Sequence, residues 1–297
     1  MTRSSARFDG GVVHHGDCLE ILPQLPSRAF DLTYVDPPFN TGRAFGARVG
    51  KGARVDSDAA YRDLWGGLDG FLEMLGPRLE AAARVISEQG SIWVHLDHRA
   101  VHDVKVLLDR VFGREAFFGE IIWLPGNGAR HRTRPSVTHQ TLLIYAPHGR
   151  MLWNAEDPAL REAYAKTSLK MHFSSEDASG RRFRERTIRG KTYRYYADIG
   201  RQLGSVWSDC PAMRANTPLV RETTGYPTQK PEKLLDRILR AASLSDSQIL
   251  DPMCGSGTTL AVASRLGRRF VGIDRGELAF SITCKRLAAL APEAVAK

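Results

Sequence analysis

The segment Asp36-Pro37-Pro38-Phe39 limits what this chain can fold into more than any other stretch. A proline cannot donate to a β-ladder, and the residue before it is held in an extended conformation. Because a strand-forming run, residues 31–35, comes directly before it, the segment predicts a stiff loop at the carboxyl end of a strand, where open α/β sheets bind ligands. Asp36 and the neighbouring carbonyls offer acceptors beside the Phe39 ring, which suits a flat heterocycle with an amino group. A strand that ends in a proline turn capped by an aspartate explains the segment equally well.

A second strand-to-loop transition lies near the end of the chain. Residues 248–251 predict a strand, and the loop Gly255-Ser256-Gly257-Thr258-Thr259 leads into a helix. Asp274 follows Gly255 by 19 residues and ends the next predicted strand, close to the ~20 expected of a carboxylate that binds ribose. This unit predicts an adenosine-type cofactor. The loop lacks the third glycine of the dinucleotide fingerprint, which argues against NAD.

The position of the glycine loop in the chain predicts the fold class. Only 46 residues follow Asp251, too few to build a sheet downstream of it. Strands before residue 150 must therefore complete the same sheet, which predicts an α/β fold of Rossmann-like type in permuted order. The proline loop and the glycine loop then lie side by side at the carboxyl edge of that sheet. Residues 1–150 and 220–297 are predicted to form this domain, with residues 151–219 inserted.

The positive charge is concentrated in one third of the chain. The net charge is +9, and residues 126–225 hold 17 Lys and Arg against 9 Asp and Glu. Such a local excess is expected of a protein that binds a polyanion. Arginines alternate with aromatic residues in 181–186 and 191–196, a pattern that suits phosphate contact and base stacking, or else a hairpin with a solvated charged face. Residues 158–171 predict one helix.

Several functional classes are not indicated. The four cysteines have no C-x-x-C spacing, which predicts neither a zinc site nor a disulfide framework. No apolar run approaches the ~18 residues that a membrane span needs. The first residues lack the apolar core of a signal peptide, so we expect a cytoplasmic protein.

Three motifs follow one another along the chain: Asp36-Pro37-Pro38-Phe39, Tyr226-Pro227-Thr228-Gln229-Lys230-Pro231 and Asp251-Pro252-Met253-Cys254-Gly255-Ser256-Gly257-Thr258-Thr259. They resemble the motifs of the N6-adenine/N4-cytosine DNA methyltransferases that use S-adenosylmethionine, with weaker matches at Gly16-Asp17-Cys18 and Val271-Gly272-Ile273-Asp274. Their order matches the class in which the catalytic motif precedes the target-recognition region and the cofactor motif comes last. Met253 stands where phenylalanine is usual in this family, and Asp274 where glutamate is common.

The resemblance implies a role for each matched residue. Asp251 faces the amino group of the cofactor, Asp274 accepts from the ribose hydroxyls, and Asp17 lies near the adenine. Residues 151–219 become the target-recognition region, and the partner is double-stranded DNA with one base flipped out of the helix. A homodimer is an option, and no restriction partner is indicated. The implied catalytic residues are Asp36, Pro37, Pro38 and Phe39; the implied cofactor-binding residues are Asp17, Thr228, Lys230, Asp251, Met253, Gly255, Ser256, Gly257, Thr258 and Asp274; no metal ligand is implied.

The target base and a noncatalytic function remain as alternatives, whereas a cytosine-C5 methyltransferase is rejected. Aspartate at position 36 favours adenine N6, because related N4-cytosine enzymes often carry serine there, and cytosine N4 is the alternative. A cytosine-C5 enzyme would need a Pro-Cys nucleophile, and the chain has Cys210-Pro211 in the reverse order. A noncatalytic nucleic-acid-binding protein would explain the charge but not two ligand loops.

Overall fold

The computed structural model describes residues 4–46, 61–128, 131–213 and 222–290. These residues form one large mixed sheet, three small sheets, seven α-helices and several 3-10 turns. The strands are β1 Ser4–Phe8, β2 Gly11–His15, β3 Phe30–Val35, β4 Arg43–Phe45, β5 Tyr61–Asp63, β6 Ile86–Leu96, β7 Phe117–Trp123, β8 Gln140–Tyr145, β9 Arg161–Glu162, β10 Ser175–Glu176, β11 Arg182–Ile188, β12 Lys191–Tyr196, β13 Arg201–Gln202, β14 Val206–Trp207, β15 Gln248–Asp251 and β16 Arg269–Asp274. The helices are α1 Cys18–Ile21, α2 Leu68–Ala83, α3 Val101–Phe112, α4 Lys166–His172, α5 Glu232–Ala242, α6 Thr258–Arg265 and α7 Glu277–Ala288.

The large sheet joins the two ends of the chain. Its nine strands run in the order β1-β2-β16-β15-β3-β6-β8-β7-β14. The five neighbouring strands β2, β16, β15, β3 and β6 are parallel to one another. Strand β15 pairs with β16 on one side and with β3 on the other. Strand β1 is antiparallel to β2, and β8 is antiparallel to both of its neighbours, β6 and β7. The predicted permuted arrangement, in which early strands complete the sheet of the glycine loop, is therefore confirmed.

Helices cover both faces of the sheet, and the side chains along each strand alternate between two hydrophobic clusters. One cluster packs against α5, α6 and α7, and the other against α1, α2 and α3. In β15, for example, Ile249 belongs to the first cluster and Leu250 to the second. A strand with both faces buried is typical of parallel sheets between helical layers. Burial on both faces holds the sheet edge, and the loops that follow each strand, in a fixed position.

The prediction of a single helix over residues 158–171 is wrong. Residues Pro158–Leu160 form a 3-10 turn, β9 follows, and only α4 is helical. Strand β9 pairs with β13, and Leu203 N donates to Leu160 O at 2.8 Å. Long-range strand pairing therefore replaces the local helical pattern. Tyr164 does not lie on a helix. Its aromatic side chain is buried, with its ring centroid 4.6 Å from that of Phe173.

The sequence of residues 59–87 shows a helical pattern, interrupted near Gly66-Gly67 and Gly76-Pro77, and the structure confirms it only in part. Residues 59 and 60 lie outside the described part of the chain, residues 61–63 form β5, and α2 begins at Leu68. Gly66 and Gly67 have φ values of +72° and +112°, a left-handed backbone that ends the strand and precedes the helix.

The inserted region contributes two small sheets and one strand of the large sheet. Strands β10, β11 and β12 form an antiparallel sheet, and β9 pairs with β13. Strand β14 pairs with β7 in parallel at the edge of the large sheet, and Trp207 is buried in the core. In the ranges that the structure describes, no helix combines the length and apolar character needed to cross a bilayer. All four cysteines are free thiols.

Candidate active site

The carboxyl ends of neighbouring parallel strands bring four aspartates to one edge of the sheet. Asp36 follows β3 directly, and Asp251 and Asp274 are the last residues of β15 and β16. Asp274 pairs in register with His15 of β2, two residues before Asp17. Residues 36 and 251, far apart in the chain, therefore become neighbours because β3 and β15 are adjacent strands.

A cavity of about 600 Å³ opens at this edge. Its size is in the range of small-molecule and cofactor sites. The Asp-Pro-Pro-Phe loop and the glycine loop both line it, as the sequence predicts. Of the site residues named from the sequence, the cavity is lined by Asp17, Asp36, Pro37, Pro38, Phe39, Thr228, Lys230, Asp251, Met253, Gly255, Ser256, Thr258 and Asp274.

Gly257 is the one named residue that does not line the cavity. Its backbone is left-handed, with φ of +70°, and it caps the start of α6. A Cβ atom at this position would lie 2.7 Å from two atoms of the Thr283 side chain. Gly257 is thus required for the close packing of the loop against α7.

The glycine loop is fixed by Asp274. One carboxylate oxygen, Oδ2, accepts from Gly255 N at 2.8 Å, and Oδ1 accepts from Gly276 N at 2.8 Å. Gly255 has φ of +51°, and a Cβ atom there would lie 3.2 Å from the Tyr226 ring. The absence of a side chain at Gly255 keeps the cavity wall open at this point. Burial raises the pKa of Asp274, and the two backbone donors oppose that rise.

Lys230 contacts the carboxylate of Asp36. Its Nζ lies 2.7 Å from Asp36 Oδ1 and 2.5 Å from Oδ2, and 4.8 Å from the centroid of the Phe39 ring. The Lys230 side chain is 8% exposed and that of Asp36 is 21% exposed. Burial raises the pKa of Asp36 above its ordinary value, and the Lys230 ammonium opposes the rise.

Asp251 is a buried carboxyl group with no cation beside it among the described residues. Its Oδ1 accepts from Met253 N at 3.2 Å. Burial raises its pKa to about 7; a hydrogen bond with Thr259 opposes this, and the charges of Asp36 and Asp274 add to it. The group is therefore poised to become ionised when a cation binds next to it.

Sequence reasoning did not identify Asp63, which holds the loop after Phe39 in place. This carboxylate is fully buried and accepts from Asn40 N at 3.0 Å, from Thr41 N at 2.7 Å and from Trp65 Nε1 at 2.9 Å. The Thr41 hydroxyl donates to it as well, at 2.7 Å. The letters around position 63 carry no signal for this role, because the donors that tie down the loop, on Asn40 and Thr41, lie more than twenty residues earlier in the chain.

Two further side chains of the cavity wall were also missed. Tyr61 lies 3.3 Å from the Thr228 hydroxyl, and its ring stacks with that of Tyr226, centroid to centroid 6.3 Å. Arg78 of α2 lies 2.5 Å from Asp17 Oδ2. One oxygen of Asp17, Oδ2, is therefore engaged in an ion pair with Arg78, and the other, Oδ1, accepts from Leu19 N at the start of α1. No local pattern predicts these contacts, because each joins distant segments.

A buried pair lies behind the Asp-Pro-Pro-Phe loop. The Tyr34 hydroxyl and His95 Nδ1 are 2.7 Å apart, and the His95 ring centroid is 6.1 Å from that of Phe39. Burial lowers the pKa of His95 well below its ordinary value, so the imidazole is neutral. The pair gives the loop a rigid polar backing. In the parts of the chain that the structure describes, no cluster of His, Cys, Asp and Glu has the arrangement of a metal site.

The basic inserted region forms the hairpin that the sequence offered as one alternative. Strands β11 and β12 are joined by a two-residue turn at Arg189 and Gly190, with φ of +48° and +76°. The tip is exposed and basic, whereas Phe183 at the base is buried. The Arg194 guanidinium lies 4.0 Å from the Phe183 ring centroid and pairs with Glu185 at 2.9 Å.

A sheet with parallel central strands and an acid-anchored glycine loop at their carboxyl edge is a Rossmann-like arrangement, and here the Asp-Pro-Pro-Phe loop lines the same cavity. The family model described as DNA methylase, of the N6/N4 type, matches residues 30–285. The chain therefore belongs to this DNA methylase family, whose members transfer a methyl group from S-adenosylmethionine to an exocyclic amine of a DNA base.

Individual proteins show the same likeness. Type II methyltransferase M.EcaI of Enterobacter cloacae is 28% identical over 86% of this chain and 64% of its own length, so the chain spans less than two thirds of that protein. Type II methyltransferase M2.LlaDCHI of Lactococcus lactis subsp. cremoris is 26% identical over 97% of this chain and 93% of its own. The solved structure of the PvuII DNA methyltransferase, cytosine-N4-specific, has a TM-score of 0.61 at 15% identity, covers 97% of this chain and 88% of its own, and is a likeness of fold.

Proposed function

We propose that this chain methylates the N6 amine of adenine at a specific sequence in double-stranded DNA, with Asp36, Pro37, Pro38 and Phe39 as its catalytic residues. The observation that carries the proposal is the single cavity shared by the Asp36 loop and the Gly255 loop. A group transfer needs its two reactants held in line, and this orientation is worth up to ~7–11 kcal/mol in the best cases. Two loops from adjacent strands supply that fixed relation.

The cofactor half of the cavity fits S-adenosylmethionine. That molecule, when bound, supplies an electrophilic methyl group on a sulfonium centre. Asp251 would accept from its amino group; this carboxyl is buried and has no cation beside it among the described residues, and burial raises its pKa to about 7. Asp274 keeps one lone pair on each oxygen for the ribose hydroxyls after binding the two backbone amides. Met253 supplies apolar wall, and Ser256, Thr258 and Thr228 supply hydroxyl groups.

The catalytic half of the cavity fits a flipped base. An exocyclic amine is a poor nucleophile because its lone pair is delocalised into the ring. If its two N–H groups donate hydrogen bonds to the Asp36 carboxylate and the Pro37 carbonyl, the nitrogen becomes pyramidal and its lone pair can point at the methyl group. As the N–C bond forms and the C–S bond breaks, S-adenosylhomocysteine would leave, and the nitrogen would lose one proton to Asp36. Phe39 would replace the stacking neighbour that the base loses on leaving the helix, a contact worth ~1–3 kcal/mol.

Adenine is favoured over cytosine because position 36 is an aspartate. A carboxylate is a stronger acceptor than a serine hydroxyl, and it suits an amine whose protons must be drawn away from the ring. Cytosine N4 is the second candidate, since the family includes both activities. Single-molecule sequencing of duplex DNA treated with the enzyme and S-adenosylmethionine would identify the base and the site together; N4-methylcytosine as the only product would reject adenine.

The target-recognition region is proposed to comprise residues 151–219, with the exposed face of β11 and β12 against DNA. The basic hairpin tip supports phosphate contact, and the exposed Tyr193 ring supports contact with bases or sugars. A homodimer, in the manner of related enzymes, would be tested by analytical ultracentrifugation with and without duplex DNA. Residues 214–219 of this region lie outside the described part of the chain.

The test of the catalytic assignment is Asp36→Ala with radiolabelled methyl transfer to duplex DNA. We expect transfer to fall by at least 10²-fold, since proton acceptance by a positioned side chain typically contributes that much, while DNA binding is retained. Asp246→Ala, an exposed aspartate in the turn before β15, is the matched control and should transfer normally. Transfer that is unchanged in the Asp36→Ala variant would reject the assignment and favour a noncatalytic DNA-binding protein.

A further inference from the structure

The interaction of Lys230 is unexpected for a residue in a cofactor pocket. It stands just before α5, and its ammonium makes both of its short contacts with the two oxygens of Asp36. The Thr228 carbonyl, at 3.5 Å, is a weaker third partner. Among the ion pairs between described residues, Asp36 is the only carboxylate that Lys230 contacts.

The charge of the cofactor argues that this lysine serves Asp36. S-adenosylmethionine carries a positive sulfonium and a positive ammonium, and only one carboxylate. A lysine ammonium directed at it would repel the sulfonium, whereas an ammonium already paired with Asp36 leaves that half of the cavity close to neutral. The cost of burying a lysine is also met only by a pair with good geometry, which the two contacts provide.

We infer that Lys230 is a positioning residue for methyl transfer, which keeps Asp36 ionised and fixes the plane of its carboxylate toward the target amine, and that it does not bind the cofactor. The inference rests on the proposed function of Asp36. Contact with both oxygens restricts rotation of the carboxylate, and each oxygen keeps a lone pair for the amine protons. Lys230 thereby acts through Asp36 and touches neither reacting group.

The surroundings of Asp36 explain why a cation is needed. The titratable groups that face it are Lys230, Tyr34, Tyr61, Tyr226 and Asp251. Of these only Lys230 is cationic, and Asp251 is a second carboxyl that opposes ionisation. Burial raises the pKa of Asp36 and the ammonium opposes that rise, so without the ammonium the pKa would rise further and the carboxylate would be a weaker acceptor on the acid side.

The experiment compares Lys230→Met, Lys230→Arg and wild type by single-turnover methyl transfer to duplex DNA as a function of pH. Removing an opposite charge raises a carboxyl pKa by about 1–3 units, so the acid limb of the Lys230→Met profile should move up by that amount. On that acid limb, transfer should fall by about ten-fold or more relative to wild type and recover at higher pH, while Lys230→Arg keeps the wild-type limb. A loss that is the same at every pH would overturn the inference.

Two measurements without methyl transfer separate this inference from the proposed function. The affinity for S-adenosylmethionine, from titration calorimetry, should change by less than about three-fold in Lys230→Met; a fall of ten-fold or more would show a cofactor contact and overturn it. Lys230→Met should unfold at a lower urea concentration than wild type, because it leaves the Asp36 carboxylate buried without a cation. Adding Asp36→Asn should restore much of the lost stability, because it removes that unpaired charge. Failure of the second change to restore stability would also count against it.

The matched control is Lys233→Met. Lys233 lies on α5, is about half exposed, and pairs with Asp209 at 2.9 Å, away from the cavity lining. The Lys233→Met variant should keep the wild-type pH profile and cofactor affinity, and its effect on stability should not depend on Asp36. A shift of the acid limb equal to that of Lys230→Met would mean that any nearby cation suffices, and would overturn the specific pairing of Lys230 with Asp36. Wild-type enzyme that transfers no methyl group to DNA would reject the proposed function alone, since calorimetry and unfolding still judge Lys230.

Discussion

Binding of S-adenosylmethionine should release a proton from Asp251. Burial raises the pKa of this carboxyl to about 7, so in the free protein it is about half protonated near pH 7. A cofactor ammonium next to it favours the ionised form and lowers the pKa by about 1–3 units. Asp251 should therefore release about half a proton near pH 7 and only about a tenth of a proton near pH 8, where the α-amino group of the cofactor, with an ordinary pKa of about 7.7–8.0, takes up protons instead.

The same shift fixes the sign of two pH dependences. The affinity for the cofactor should rise with pH up to about pH 7 and then level off, because the ionised carboxylate is the form that binds. The free energy of unfolding of the cofactor-free protein should fall as the pH rises from about 4 to about 7. Its folded pKa, about 7, is above the ordinary value of 3.8, so the cost of ionising Asp251 is absent below about pH 4 and complete above about pH 7. That cost is about 4 kcal/mol for a shift of about three units.

The assay is titration calorimetry of S-adenosylmethionine into the protein in phosphate and in Tris at one pH. These buffers differ in ionisation enthalpy, so the difference in observed heat gives the number of protons released. Asp251→Asn should abolish the difference, bind the cofactor at least about ten-fold more weakly, and be more stable than wild type near pH 8. Equal heats in both buffers for wild type, or proton release that persists in Asp251→Asn, would refute the reasoning.

Two further predictions concern the loops that carry the site. Gly257→Ala should destabilise the protein by about 2–4 kcal/mol in urea unfolding, because it adds left-handed backbone strain and a clash with Thr283. The control is Gly42→Ala, where φ is +69° and the surrounding space is open, so the loss of stability should be only about 1–2 kcal/mol. An equal loss of stability in the two variants would contradict the clash. Asp63→Asn should cost about 1–3 kcal/mol and lower methyl transfer, because one of its acceptors becomes a donor facing the amides of the loop after Phe39; a variant with wild-type stability would show that Asp63 does not anchor the loop.

The extent to which the sequence predicts the site depends on how local each signal is. The Asp-Pro-Pro-Phe loop and the glycine loop could be read directly, since proline and glycine restrict or free the backbone at their own positions. The short segment after Asp251 sufficed to predict that strands before residue 150 complete the same sheet, although it does not give the order of the strands. The helix expected over 158–171 failed because pairing of β9 with β13 outweighed its local pattern.

Sequence alone thus determined the class of fold, the two ligand loops and their meeting at one sheet edge, because these follow from backbone geometry and hydrophobic alternation within short windows. Tertiary structure alone decided which side chains meet there. Lys230 reaches Asp36 across 194 residues, and Asp63 and Arg78 find their partners through packing of β5 and α2. Such contacts depend on the relative position of whole elements, and a pattern of letters around any one residue does not contain that information.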